Sequence, residues 1–234
     1  AAAQMGLRFV VITAVARDDL PDGGAAHFAA CIKAVRDTVP DCRVEVLIPD
    51  LRGGWDALDA VIDAAPDVLN HNTETVPRLY SLVRPGARYE RTLELLARSA
   101  AAGLATKTGI MVGLGETLPE IATVFADIAA TGCRLVTVGQ YLQPSPAHLP
   151  VARFYAPSEY PALAALGREC GLTHVRRRAG SFDRGWPLAR GSHPQASRFC
   201  LGFPPPPRPR RVNFSQVGSP AADIGHVRSM WSPR

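Results

Sequence analysis

Asn70, Asn72 and Glu74 place two carboxamides and a carboxylate within one short stretch. Together they offer donors and acceptors suited to a ribose or a peptide-like ligand. In a second group, Gly113, Leu114, Gly115 and Glu116, the glycines let a backbone approach a ligand closely and could aim N–H groups at an anion. Met111 leads into that group, Gln140 and Tyr141 close a later apolar run, and Thr13 closes the first one, ahead of Arg17, Asp18 and Asp19. Tyr80, Arg84, Arg88 and Tyr89 surround a Pro-Gly turn and could clamp a carboxylate. Lys33 and Lys107 are the only lysines, and Lys107 sits inside an apolar run, where a Schiff-base carbon–carbon lyase would place its amine. Each group has a plainer alternative. Glycines punctuate tight turns, residues 70–74 could cap a helix, Asp22 to Gly24 is a turn signal, His27 suits a helix flank, and Lys107 could be salt-bridged.

Short β-branched runs alternate with segments of helical period, the sign of repeated βα units and a parallel sheet. Strands are expected at 8–14, 43–48, 67–70, 105–112, 135–140 and 172–175. Helices are expected near 24–38, 55–64, 76–83, 89–102, 118–131 and 158–169. Thr117 and Glu120 form a capping box with Pro119 just inside the helix, and Ser158 is the expected N-cap of the last helix. In βα barrels and open α/β sheets, ligands bind at the carboxyl ends of the strands. Five successive strand ends carry amides, carboxylates or paired glycines here, so the chemistry converges on one rim.

At 234 residues and 47% hydrophobic content the chain can bury a substantial core, and no run is long enough to span a membrane. Its net charge of +5 is unevenly distributed. Residues 1–174 hold 15 Lys and Arg against 19 Asp and Glu, a net of −4, whereas residues 175–234 hold 11 Arg against Asp183 and Asp223 alone, a net of +9. That second part has nine of the 21 prolines and no amphipathic period, so it reads as a disordered basic tail, with an RNA-binding arm as the alternative. Cys31, Cys42, Cys133, Cys170 and Cys200 show no C-x2-C spacing, which predicts no metal site and buried, inert thiols at Cys31 and Cys133. The opening Ala1 to Met5 reads as a segment cut from a longer protein, which leaves a cytoplasmic, mitochondrial or plastid location open.

Over roughly residues 5–174 the chain resembles the lipoyl synthases of the radical S-adenosylmethionine superfamily. The matching runs are 10–13, 17–25 with His27, 44–50 followed by Arg52 and Gly53, and Asn70 to Asn72 with Glu74. They continue through Val76 to Arg78, 83–87 with Tyr89, Thr106 with Lys107, 111–116, and 138–144 with 148–150. The resemblance implies a partial (βα)6 barrel of TIM type that holds S-adenosylmethionine and a [4Fe–4S] cluster, with a second cluster sacrificed as the sulfur source. It implies insertion of two sulfur atoms at C6 and C8 of an octanoyl chain on a carrier-protein lysine, so the expected partners are octanoylated lipoyl-carrier domains. Carried over by position, Met111, Gly113, Gly115 and Glu116 would lie against the adenine, and Asn70, Asn72 and Glu74 near the ribose or substrate. Thr13, Gln140 and Tyr141 would line the same rim, with Arg84 and Tyr89 toward the substrate. No catalytic residue is assigned.

The sequence also departs from that family. The C-x3-C-x2-C motif and three further cysteines that hold the family's clusters would all fall upstream of residue 8. The family ends in an Arg-Ser-Ser-Tyr run, where this chain continues from His174 into Val175, Arg176, Arg177 and Arg178. Ser181 and Ser192 cannot be assigned the cluster-ligand role of that run's serine, and the abrupt change suggests a shifted frame or altered splice. Ala14 and Ala16 stand where the family shows Ser and Asp. The expectation is a chain that retains part of the cofactor site but is inactive alone.

Overall fold

The computed structural model describes residues 1–177. Its strands are β1 (Phe9–Thr13), β2 (Arg43–Leu47), β3 (Val68–Asn70), β4 (Ala105–Val112), β5 (Leu135–Gln140) and β6 (His174–Arg177). The helices are α1 (Ala25–Thr38), α2 (Trp55–Asp63), α3 (Tyr80–Val83), α4 (Tyr89–Ala101), α5 (Leu118–Ala130) and α6 (Tyr160–Glu169). All neighbouring strands pair in parallel, in sequence order from β1 to β6. Right-handed crossovers in a sheet of sequential order put every connecting helix on one face. The other face carries none of these connecting helices, as in a partial (βα)6 barrel.

Alternation along each strand sorts the side chains between those faces. Val44, Val46 and Leu69 point to the helices and are fully buried beneath Phe28, Ile32, Leu58 and Val61. Ile110, Val112, Val136 and Val138 do the same beneath Ile121, Val124, Phe125 and Ile128. Burial of each such side chain contributes about 1.5–3 kcal/mol. On the inner face, Val11 pairs with Glu45, and Asn70 pairs with Lys107, which pairs with Leu135. This face is not filled like a core: Phe9 and Val11 remain 44% and 52% exposed.

The helix starts follow local chemistry. Asp22 accepts hydrogen bonds from Gly24 N (2.9 Å) and Ala26 N (2.8 Å), which hold its carboxyl below the usual range and start α1. At α5, Thr117 Oγ1 accepts from Glu120 N at 3.4 Å, and the Glu120 carboxylate accepts from Thr117 N at 2.8 Å, the reciprocal box expected from sequence. Arg78 and the Thr117 donors pull the Glu120 carboxyl down to about 2.

Some boundaries differ from expectation. Strand β6 runs two residues later, so Arg176 and Arg177 belong to the sheet, and the Arg177 guanidinium lies 5.2 Å from the Tyr160 ring centre. The helix expected at 76–83 is a 3-10 turn at Pro77–Leu79 followed by α3, because Pro77 lacks the N–H an earlier turn would need. Ser158 caps nothing. It lies within the 3-10 turn Pro157–Glu159, where the Glu159 carboxylate accepts from Ala156 N at 2.7 Å. Cys133 is buried as expected, but Cys31 is half-buried, its Sγ 3.7 Å from Nε2 of His27 one turn earlier on α1. The tail expected from residue 178 onward, with Ser181 and Ser192, lies outside the described residues.

Candidate inner-face site at the strand ends

The loop after β3 is built by side chains on its far side. His71 is fully buried; its Nδ1–H donates to Ile48 O at 2.9 Å and its Nε2 lies 3.2 Å from Thr92 Oγ1. A ring nitrogen facing a carbonyl must carry the proton, so Nε2 accepts from Thr92. Thr92 Oγ1 in turn accepts from Tyr80 OH (2.9 Å), and Tyr80 OH accepts from Arg84 Nη1 (3.2 Å). Arg84 Nη1 also donates to Asn72 O at 2.9 Å. Burial drives the His71 imidazolium pKa down to about 4, so the ring is neutral and the chain of donors runs one way. Arg84 therefore anchors the Asn72 loop rather than facing the mouth.

The same loop is stitched to β4. Thr108 Oγ1 donates to His71 O at 2.7 Å and accepts from Thr73 N at 3.0 Å, while Glu74 N donates to Gly109 O and Met111 N to Glu74 O. Glu74 takes a left-handed φ of 71° to make that bridge, uncommon for a residue with a side chain. The result is a cradle on the inner face. A Cβ on Gly109 would lie 2.8 Å from Asn72 Oδ1 and 3.0 Å from Thr137 Oγ1, so the bare glycine makes the space the Asn72 amide occupies.

Below it lies a cluster from three strands. Glu45 Oε1 accepts from Lys107 Nζ at 2.8 Å and from Asn70 Nδ2 at 3.0 Å. Because Nδ2 must face the carboxylate, Asn70 Oδ1 is the atom left over, and it is buried with no partner among the described residues. An orphaned buried acceptor costs about 1–3 kcal/mol, which a ligand donor would relieve. Thr75 Oγ1, in the loop after β3, is a second buried atom without a partner among the described residues. Thr13 Oγ1 donates to Leu47 O at 3.1 Å, which leaves it on the β1 rim. Thr13, Asn70, Asn72 and Met111 thus share the inner face, with Glu74 bridging beside them.

A second set of expected residues is engaged otherwise. The Glu116 carboxylate accepts from Gly113 N (2.7 Å), Leu114 N (2.8 Å) and Tyr155 OH (3.1 Å), so it fills the anion nest of its own loop. Burial first and Glu116 second push the Tyr155 hydroxyl up to about 12. Gln140 Nε2 donates to Arg153 O (2.9 Å), its Oε1 accepts from Tyr155 N (2.9 Å), and Tyr141 OH donates to Leu149 O (2.8 Å). Ala152 N donates to Gly113 O at 2.9 Å. Gly113, Glu116, Gln140 and Tyr141 therefore hold residues 149–155 as a strap over the ends of β4 and β5. Gly115 lies under Ala152 in the same loop, its carbonyl bound by Arg78 Nη2 at 2.9 Å.

Tyr89 does not reach the mouth. Its ring packs edge-on against Tyr80, centroids 5.5 Å apart, and its hydroxyl donates to Asp127 of α5 at 2.9 Å. Burial and that carboxylate raise its pKa, so it is a neutral strut between α4 and α5. Asp50 is likewise occupied: burial opposes its charge, but Arg91 at 2.8 Å and Arg52 N at 3.1 Å outweigh that and hold the carboxyl below its usual range. Lys107 is ion-paired, not the free amine a Schiff-base lyase needs. Sequence reasoning missed Glu45, Gly109 and the strap. A glutamate between Val44 and Val46 and a glycine inside β4 were the available signals.

No group of three metal-ligating side chains occurs among the described residues. Cys31, Cys42, Cys133 and Cys170 sit on separate elements, so these residues do not fit an iron–sulfur cluster. No helix among them is long and apolar enough to cross a membrane.

A family model described as the Radical SAM superfamily matches residues 1–128. A protein of Oleidesulfovibrio alaskensis named lipoyl synthase is 56% identical over 175 residues, covering 75% of this chain and 60% of that one. A lipoyl synthase of Rubrobacter xylanophilus is 51% identical over 201 residues, covering 85% of this chain and 62% of that one. The chain thus spans about 60% of the length of these curated relatives. Among solved structures, a crystal structure of methylornithine synthase superposes with a TM-score of 0.51 at 12% identity, covering 75% of this chain and 59% of that one. At that identity the likeness concerns the fold alone.

Proposed function

Because this chain belongs to the Radical SAM superfamily, we propose that its inner face binds S-adenosylmethionine and serves a lipoyl synthase. The family reaction this face would serve is insertion of two sulfur atoms at C6 and C8 of an octanoyl chain carried on a protein lysine, and the chain alone, whose described cysteines do not gather, is expected to be inactive. The partner is then an octanoylated lipoyl-carrier domain, and the bacterial relatives favour a cytoplasmic setting. The observation that carries the reading is the polar cradle after β3, where Gly109 makes room for the Asn72 amide beside an Asn70 carbonyl that lacks a donor among the described residues.

In this assignment Asn70, Asn72 and Glu74 hold the ribose hydroxyls, which both donate and accept as carboxamides and carboxylates require. Met111, part-buried on the inner face, offers an apolar contact for the adenine, while Thr13 marks the far rim. Gly113, Gly115, Glu116, Gln140 and Tyr141 shape that wall indirectly by fixing the strap. S-adenosylmethionine held here would bring an adenosyl group to this face, and its reductive cleavage would need an electron from a donor other than the described residues. Since the described cysteines do not gather, no step is assigned to a cluster held by these residues.

Equilibrium dialysis of the full chain against labelled S-adenosylmethionine tests the reading. Saturable binding at one per chain, weakened about tenfold by Asn72→Ala, is expected from loss of one polar contact in a site. Absence of saturable binding rejects it.

A further inference from the structure

We infer that the outer edge of β6 is a binding site for a chain of phosphate groups, distinct from the mouth at the strand ends. Strand β6 is last in the sheet and pairs only with β5 among the described residues. Beside it lies a concavity of about 440 Å³, lined by Arg168, Thr173, His174, Val175, Arg176 and Arg177, with no carboxylate among these residues. That volume suits a small ligand. Arg168 stands near the end of α6 and Thr173 just before β6, so the concavity starts at the amino end of the strand, whereas the mouth gathers at carboxyl ends.

Strand alternation sets the arrangement, sending neighbouring arginines to opposite faces. Arg176 is in register with Thr137 and projects on the inner face. Arg177 projects on the helix side, where its guanidinium lies 5.2 Å from the Tyr160 ring centre. Val175 points the same way, against Gly167 of α6. His174 N donates to Arg134 O on the β5 side, which turns the N–H of Val175 to the open edge. Arg168, in the last turn of α6, completes the ring. Three guanidiniums and an outward backbone N–H thus bracket one bare edge.

Among the described residues neither Arg168 nor Arg176 makes an ion pair. The helix dipole accounts for Arg168 at the carbonyl end of α6, but not for Arg176 on the strand. Gathered like charge raises the local potential, and an anion relieves it. Guanidiniums grip phosphate oxygens two at a time. Three of them carry more charge than the about −2 of one phosphate group, so the fitting ligand is a chain of phosphates. Single-stranded nucleic acid fits less well, because bases stack on aromatic faces and Arg177 covers the Tyr160 ring.

Calorimetry on the full chain with inorganic tripolyphosphate tests the site. One tripolyphosphate should bind per chain, about tenfold more weakly in Arg168→Gln and in Arg176→Gln, the factor one charge-assisted hydrogen bond carries. Both side chains are exposed, so neither variant should unfold the chain. Arg208→Gln with Arg210→Gln removes more charge from the downstream sequence and should change affinity less than about twofold. ATP is the second probe: binding at least as tight as tripolyphosphate assigns the site to a nucleoside triphosphate, and weaker binding assigns it to inorganic polyphosphate. Saturating S-adenosylmethionine should leave tripolyphosphate affinity unchanged; competition would move the anion into the mouth and overturn the assignment. Absence of saturable binding overturns it too. So do equal losses in the edge and downstream variants, which would mark diffuse attraction to net charge, and tighter binding of a single-stranded RNA that both sets of variants weaken alike.

Discussion

Replacing Gly113 with alanine asks whether this glycine serves the strap or only an open mouth. Its φ is 103°, and an added Cβ would lie 2.3 Å from Gln140 Nε2 and 2.4 Å from Arg153 O, a backbone atom that cannot swing aside. The positive φ costs alanine about 1–2 kcal/mol. Relieving the clash breaks the Gln140 to Arg153 and Ala152 to Gly113 hydrogen bonds, about 1 kcal/mol each, so the total is about 3–4 kcal/mol. Gly115 is the control: its φ is 101°, but its added Cβ meets nothing nearer than Ala152 Cβ at 3.7 Å, so only the strain of about 1–2 kcal/mol applies. The two variants should differ by about 2 kcal/mol, which for a chain of this size is ~4–8 °C in Tm. Thermal unfolding of the full chain by circular dichroism reads this directly. Equal shifts for Gly113→Ala and Gly115→Ala would refute the strap argument.

Three further outcomes follow from the same geometry. His71 binds its proton less readily folded (about 4) than unfolded (6.5), so stability is fully present above pH 6.5 and declines as pH falls toward 4, by roughly 3 kcal/mol. Denaturant titrations of His71→Gln should lack that part of the slope, and a variant with the wild-type slope contradicts the buried neutral ring. Tyr89→Phe should lose about 1 kcal/mol of stability with its Asp127 hydrogen bond and keep S-adenosylmethionine affinity; a fivefold or greater change in affinity would return Tyr89 to the mouth. Anaerobic reconstitution of the full chain with iron and sulfide should give no stoichiometric [4Fe–4S] cluster, because the described cysteines do not gather; a full cluster per chain by iron and sulfide analysis defeats that expectation.

The strands and their polar ends were legible because β-branched runs and helical period are local signals, and parallel βα order then forces the ends to one rim. What residue type alone does not reveal is the face a side chain takes. Tyr89 and Arg84 have the chemistry of a carboxylate clamp, yet one braces two helices and the other holds a loop carbonyl. Glu116 looked available for a ligand, but a carboxylate two or three residues beyond two free N–H groups can fold back onto them. The Glu45 to Lys107 pair spans 62 residues and becomes visible only once the register of β2, β3 and β4 is known.

The division of the rim into two halves follows from how hydrogen-bonding groups are distributed. At the ends of β4 and β5, the Gln140 amide bonds on both its oxygen and its nitrogen, the Glu116 carboxylate on both oxygens, and the Tyr141 hydroxyl to Leu149. That half is a finished wall, and substitutions there should act through stability. At β2 and β3, extending to the neighbouring inward positions of β4, the backbone is as firmly held, yet among the described residues Asn70 Oδ1 has no partner and the ammonium of Lys107 makes one hydrogen bond. Buried polar groups are otherwise almost always satisfied, so unmet capacity concentrated on a rigid frame is what a binding surface requires. The His71, Thr92, Tyr80 and Arg84 chain supplies that rigidity from behind and leaves the inner side of the Asn72 loop free to meet a ligand.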